Sequence, residues 1–454
     1  MKLMNEKLTW RNLFFIGSML FGLFFGAGNL IFPVFLGQQS GSNVFYAIIG
    51  LLITGVGLPL LGVASMGMTG SNSVFDLAGK VNRPFAYIFT ILLYLTMGPF
   101  FAIPRLATIS FQLGIAPFVG KAHQGVVLLI FSAIFFIVTY LLARKPSKLM
   151  TYVGKWLTPI FLVLLGILIV TAFIKPMGGL NAIPQGQYAK SPVLTGFTEG
   201  YNTMDALASL AFGVVVIDTI KSLGVTHPGQ IAKDTIRSGL ISVVLMGIIY
   251  AFLALIGTMS VNKLPLASNG GVTLAQVFNY YFGSFGSLLL ALIAIIACLK
   301  TSIGLSSAFG ETAKEMFPKF NYKVVLIIAG TFSFLVANIG LTKLINYSTP
   351  VLMFLYPLAM VLIIISVLTP LIGDSKITFG MTILFTIIPA LFAGVEALPK
   401  ALQTNTFVQH VLTWNNHLPL AEMSLGWVVP ALVGLIVGYI ISRIYISHLS
   451  NKFK

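Results

Sequence analysis

A lysine in the middle of an apolar run needs a reason to be there. Lys300 lies within "SLLLALIAIIACLKTSIGLSSAFG" (287–310), and with roughly fifteen residues of span on either side its stem is too short to carry the ammonium out to water. A charge at a helix centre costs about 2.5–3.5 kcal/mol on insertion scales, so a compensating partner is expected. Three further polar sites are embedded in apolar sequence. "FFGAGNLIFP" (24–33) places Gly26, Ala27, Gly28 and Asn29 ahead of Pro33. "EGYNTMDALASLAFGVVVID" (199–218) holds Glu199, Asp205, Ser209 and Gly213, and "GPFFAIPR" (98–105) ends on Arg105.

Glycine and proline both disfavour an uninterrupted helix. The first and second of these segments are therefore expected to be broken helices, the second with its break near Asp205–Gly213. Where a helix unwinds inside a bilayer, its free N–H and C=O groups must face a cavity rather than lipid. A second half-helix starting near Ala27–Leu30 would turn its positive end toward a carboxylate. Freed carbonyls near Gly22–Phe25 suit a cation or an ammonium. An amino acid carries both charges, so such a site matches one. The competing reading is that Gly22 and Gly26, at small-xxx-small spacing, form a helix-packing notch. Two interruptions at corresponding places in two halves of the chain, each with polar residues, favour a transport site.

The elements that must position these residues are membrane helices. Of the residues, 57% are hydrophobic and 8% charged, against roughly 25% charged in soluble domains. Apolar runs are continuous, as in "VVLLIFSAIFFIVTYLL" (126–142) and "VLMFLYPLAMVLIIISVL" (351–368), not alternating as in a membrane β-barrel. At about 20 residues per crossing they give about twelve spans, near 11–37, 43–69, 84–112, 122–142, 151–174, 198–221, 236–260, 284–312, 322–340, 343–369, 377–398 and 424–446. Residues 175–197 and 261–283 lie outside the bilayer. The latter suggests a short interfacial helix with Tyr280 and Tyr281 at headgroup level.

Most of the 27 Lys and Arg residues, beginning with Lys2, Lys7 and Arg11, fall on the N-terminal side of these spans. The excess predicts that both termini are cytoplasmic. The net charge of +16 then reflects topology and not a nucleic-acid partner. The basic N-terminus running into an apolar stretch reads as an uncleaved signal-anchor. The single Cys298 allows no intrachain disulfide and no CxxC pair, and the five His all fall in loops or near span ends. No metal ligand set, cofactor motif or obligate protein partner is indicated.

"FFGAGNLIFP", "GPFFAIPR", "GYNTMDALASLAFGVVV" (200–216) and "ACLKTSIGL" (297–305) together resemble the branched-chain amino acid:cation symporters of bacteria, the BrnQ type, along essentially the whole chain. The resemblance implies a LeuT-like fold of the APC superfamily. Its first inverted repeat would span 1–175 and its second 198–369, with two additional C-terminal spans in 377–446. It implies uptake of leucine, isoleucine and valine across the bacterial plasma membrane with co-transported protons or sodium. It further implies that Gly26, Ala27, Gly28 and Asn29 meet the substrate carboxylate. Ser209, Ala211, Phe212 and Gly213 would meet the ammonium and side chain, and Phe100, Phe101, Phe212 and Ile303 would line an apolar pocket. One methylene discriminates only about 10–200-fold, so the three substrates are expected to compete for one site.

In LeuT-like folds a sodium site lies between the first break and a Ser/Thr pair in span eight. Here that region holds Gly22, Phe25, Ala297, Lys300, Thr301 and Ser302. The ammonium of Lys300 is expected to occupy the cation position, against carbonyls near Phe25 and the Thr301 hydroxyl. Buried lysines lose their proton readily, which favours proton coupling or cation independence. The alternative is that Lys300 faces an aqueous vestibule while sodium binds near Phe25 and Thr301. Arg105 with Asp205 or Glu199 would form an outer gate, or a permanent bridge between two helices. A cation-independent transporter or exchanger of the same fold remains an alternative. A channel is disfavoured by an asymmetric chain with two internal breaks. A membrane enzyme is disfavoured by the lack of a nucleophile–base pair within the spans.

Overall fold

The computed structural model describes residues 7–452; Lys2 lies outside them. The described residues are helical, without strands. Helix α1 (Trp10–Phe24) is capped by the Thr9 hydroxyl, which accepts from the Asn12 N–H. After Phe25 and Gly26 the chain resumes as α2 (Ala27–Ser40). Gly26 is extended (φ −94°, ψ −167°), and its N–H donates to Asn29 Oδ1 at 3.0 Å, so the asparagine caps the helix it belongs to. The interruption therefore falls at Phe25–Gly26, while Pro33 sits inside α2.

Then follow α3 (Val44–Leu52) and α4 (Leu58–Thr69), joined by a π-helical turn at Ile53–Gly57, and the short α5 (Val74–Gly79). Helices α6 (Arg83–Leu95) and α7 (Ala102–Gly114) are joined by another π turn, Thr96–Phe100, in which Gly98 is non-helical (φ −103°, ψ −125°) and Pro99 follows it. This third interruption was not expected, although Gly98–Pro99 announces it. Helices α8 (Gln124–Ala143) and α9 (Thr158–Ile174) complete the first half.

The second half opens with α10 (Pro192–Glu199), a 3-10 turn at Gly200–Thr203 and α11 (Asp205–Ser222), bent by 45°. Met204 at the bend has a left-handed backbone (φ 64°). This corrects the expected second break. Ser209, Ala211, Phe212 and Gly213 lie inside unbroken α11. Gly213 is a packing notch, since a Cβ there would stand 2.1 Å from Met66 Sδ.

The remaining helices are α12 (Pro228–Ser260), the short α13 (Gly270–Phe282), α14 (Ser284–Met316), α15 (Tyr322–Ala337), α16 (Leu341–Ile372) and α17 (Lys376–Glu396). The small α18 (Lys400–Gln403) and α19 (Thr406–Asn415) precede α20 (Val428–Lys452). Among the described residues nine helices are long and apolar enough to cross a membrane, or up to ten counting the bent α10–α11 pair; α1 and α15 are apolar but shorter.

Close backbone contact locks the first half to the second. A Cβ on Gly37 would stand 1.8 Å from the Ala254 carbonyl oxygen, and one on Gly257 would stand 2.0 Å from that of Val34. Thr258 donates its hydroxyl to the Gly37 carbonyl at 2.7 Å. Small residues thus let α2 and α12 touch backbone to backbone, which places Tyr250, two turns along α12, beside the first break.

Candidate functional site

The two breaks meet. Asn29, two residues into α2, donates through Nδ2 to Asp205 Oδ2 at 2.6 Å. Tyr250 on α12 donates its hydroxyl to the same oxygen at 2.7 Å and itself receives a hydrogen bond from Asn29 Nδ2. All three side chains are buried. Asparagine is the only side chain here that both caps α2 through its oxygen and donates to a carboxylate through its nitrogen. Tyr250 was missed in the sequence, where its signal was a lone hydroxyl in the aliphatic run "VVLMGIIYAFLALIG" (243–257).

Between the breaks lies a cavity of about 50 Å³, room for a few water molecules and well below the roughly 300–1,000 Å³ of a ligand pocket. The site is drawn in around itself. Of the expected residues, Gly26, Gly28, Asn29, Asp205, Arg105 and Thr301 line it. Its apolar wall comes from Phe24, Met97, Leu106, Ile109, Ala208 and Leu305, none of them singled out by sequence. Thr301 and Leu305 lie one turn apart on α14, so Ile303, at about 100° per residue, points the other way and is buried in packing. Phe212 stands behind Phe24, edge-on with ring centroids 5.5 Å apart. Phe100 stacks on Phe332 at 4.6 Å and is 39% exposed on the outer surface, and Phe101 adjoins it. Ser209 donates to the Ala206 carbonyl at 2.7 Å and faces Gly62 of α4, whose missing Cβ would stand 1.8 Å from its hydroxyl. Ala211 is buried, and its carbonyl accepts from the Tyr94 hydroxyl.

The N-terminal donors of α2 are partly spoken for. The Gly26 N–H is taken by Asn29, and Ala27, expected at the substrate carboxylate, is buried and does not line the cavity. Thr301 keeps a free buried hydroxyl, 3.2 Å from where a Cβ on Gly26 would stand.

Lys300 is fully buried, and its Nζ has no hydrogen-bond partner. It sits 3.8 Å from the centroid of the Phe161 ring and 5.5 Å from that of Phe21, a cation–π environment. Gly22 lies alongside its stem, where a Cβ would meet Lys300 Cδ at an ordinary 3.5 Å but would stand 2.2 Å from the Thr158 hydroxyl and 2.7 Å from Val153. The expected bonds to the Phe25 carbonyl and the Thr301 hydroxyl are not made. Neighbouring helix positions diverge by about 100°, which sends Thr301 to the cavity and Lys300 to the aromatic pair. Ser302 turns a third way, toward α8, with its hydroxyl 3.2 Å from that of Thr139, and Ala297 is buried in packing. The Thr158 hydroxyl beside the Gly22 notch is a buried side-chain oxygen without a hydrogen-bond partner.

The expected Arg105 ion pairs are likewise not formed. Asp205 is engaged by Asn29 and Tyr250, and Glu199 makes no ion pair among the described residues. Arg105 Nη1 lies 3.8 Å from Met204 Sδ, and the guanidinium lies 5.7 Å from the Phe32 ring centroid. Arg105 and Ile109, one turn apart, also line a second cavity of about 490 Å³ with Gln112, Asn269, Ser287 and Asn346. They form the partition between this vestibule and the central site.

Comparison with known proteins agrees with this architecture. The chain is 45% identical over 433 residues to the branched-chain amino acid permease BrnQ of Lactobacillus delbrueckii subsp. lactis, covering 95% of this chain and 96% of that protein. It is 41% identical to the permease BrnQ of Bacillus subtilis, covering 97% and 98%. It is 38% identical to the branched-chain amino acid transport system 2 carrier protein of Pseudomonas aeruginosa, covering 94% and 95%. Among solved structures, Mhp1, a nucleobase-cation-symport-1 family transporter in a closed conformation with bromovinylhydantoin bound, superposes with a TM-score of 0.57 at 13% identity over 99% of this chain and 96% of that one. MhsT in complex with L-phenylalanine gives 0.50 at 15% identity over 96% and 99%. At these identities the likeness is one of fold, and it agrees with the LeuT-like architecture. The pattern of the family described as branched-chain amino acid transport protein matches residues 9–445, so the chain belongs to that family, one of transporters and not of enzymes.

Proposed function

We propose that this protein is a secondary active symporter that imports leucine, isoleucine and valine across the bacterial plasma membrane by alternating access. The observation that carries the reading is the Asn29–Asp205 bond joining the breaks of two discontinuous helices over a central cavity. Such breaks at corresponding positions mark transporter sites. The substrate class comes from the names of the relatives, and the aliphatic wall of Met97, Leu106, Ile109 and Leu305 suits a branched side chain. Burying one is worth about 1.5–3 kcal/mol. The free Thr301 hydroxyl and the turn at Gly26–Gly28, whose two glycines line the cavity, would meet the polar end of the substrate.

The topology we favour has twelve spans: α1–α2 as the first, α10–α11 as the sixth, repeats over 1–175 and 198–369, two further spans in 377–446, and both termini cytoplasmic. For coupling, the Lys300 ammonium serves as a resident cation beside the first break, which makes protons and not sodium the driving ion. Its burial without a partner other than aromatic faces supports this. The test is leucine uptake into proteoliposomes under separately imposed proton and sodium gradients. Concentrative uptake of chemically unchanged leucine is expected with the proton gradient alone. A strict sodium requirement at constant pH would overturn the coupling assignment, and no saturable leucine uptake under either gradient would overturn the substrate.

A further inference from the structure

We infer that Arg105 and Asp205 are the two poles that recognise the substrate's zwitterion, the guanidinium taking the carboxylate and the Asp205 carboxylate the ammonium. The assignment rests on the transport reading above and deepens it. Both residues line the central cavity, yet they do not pair. The ion pairs among the described residues are Lys80–Asp374 and Arg237–Asp234. Arg105 meets a thioether sulfur at 3.8 Å and an aromatic face at 5.7 Å. A guanidinium carries five N–H donors and matches a carboxylate in a two-pronged geometry, so these soft neighbours leave most of its capacity for an incoming anion. Asp205 receives hydrogen bonds from the neutral groups of Asn29 and Tyr250. They fix its orientation and bring no opposite charge of their own.

The end of α2 does not complete the carboxylate site alone, because its Gly26 donor is bonded within the protein to Asn29. Arg105 supplies what is missing. It also faces the vestibule, where Gln112, Asn269, Ser287 and Asn346 are all uncharged. An amino acid entering from that side meets one fixed cation before it meets Asp205. The same guanidinium would then hold the carboxylate on both sides of the partition as the substrate passes Ile109.

The experiment measures dissociation constants of purified full-length protein for three ligands: leucine, leucinol (which keeps the ammonium and lacks the carboxylate) and 4-methylpentanoate (which keeps the carboxylate and lacks the ammonium). In Arg105→Gln, leucine binding is expected to weaken by about 10–100-fold, the range for a lost hydrogen bond to a charged group. Leucinol binding should stay unchanged, and Arg105→Lys should recover part of the leucine affinity. In Asp205→Asn, leucine should weaken by a similar factor while 4-methylpentanoate does not. Equal weakening of all three ligands in either variant would make the residue structural and overturn the assignment, as would leucine binding at the wild-type constant. Wild-type protein that accumulates leucine while both variants bind it normally refutes this inference alone. Wild-type protein that neither binds nor accumulates leucine refutes the transport reading as well.

Discussion

Replacing Lys300 with methionine tests the role of the buried ammonium through two readouts that move in opposite directions. The side chain is wholly buried, its Nζ has no hydrogen-bond partner, and it lies on the face of Phe161 at 3.8 Å. A charge at this depth costs about 2.5–3.5 kcal/mol, and a desolvated cation–π contact returns about 2 kcal/mol. The difference, roughly 1 kcal/mol, is what the protein loses by keeping the lysine. Methionine has a similar length and can follow the path of the lysine stem without a charge, so the variant should be more stable by about that amount. A higher melting temperature in detergent would report it. Transport should move the other way. Without a group that binds and releases a proton beside the first break, a proton gradient should no longer concentrate leucine, while exchange of leucine across the membrane persists. Proteoliposomes with an imposed proton gradient separate the two. Proton-driven accumulation within about twofold of wild type would refute the coupling role. A loss of stability beyond about 2 kcal/mol would refute the energetic reasoning, because it would mean that the ammonium holds a favourable partner.

Asn29→Ala removes the cap on Gly26 and a donor to Asp205 together. Each buried group left unpaired costs about 1–3 kcal/mol, so both melting temperature and leucine uptake should fall, as thermal denaturation and radiolabelled uptake would record. Gly37→Ala forces a Cβ to within 1.8 Å of the Ala254 carbonyl oxygen. The helices must part, at about 1–3 kcal/mol or more, visible as reduced yield of folded protein and a lower melting temperature. Ser209→Ala should leave the leucine KM within about twofold, because the hydroxyl bonds the Ala206 carbonyl and faces Gly62. A tenfold rise would return Ser209 to the binding site.

Long apolar runs, the bias of Lys and Arg to one side and the two polar interruptions were legible because each is a property of a contiguous segment. A helix that must satisfy its own backbone in lipid advertises itself in twenty consecutive residues, and a glycine pair before a capping asparagine advertises its break. Gly26, Gly28 and Asn29 could be read from that pattern and do line the cavity. The second break was displaced by one to two turns. Its determinant is Met204, held in a left-handed conformation that no local preference of methionine would suggest. Glycine was the misleading clue, since Gly213 serves close packing against Met66 and not flexibility.

What the sequence by itself determined is the class of molecule: a helical membrane protein with interrupted spans, a polar residue at each interruption and a charge in the middle of a helix. Local chemistry suffices for that, because the cost of polar groups in an apolar solvent is paid residue by residue. Only the tertiary structure decided which of those groups meet. Asn29, Asp205 and Tyr250 lie 176 and 45 residues apart along the chain and share one oxygen because α2 and α12 touch at Gly37 and Gly257. Arg105, Lys300 and Thr301 took their directions from helix rotation, where a step of one residue turns a side chain by about 100°. That angle sends Thr301 to the cavity and Lys300 to Phe161, and it is fixed by packing against neighbouring helices that the sequence does not name.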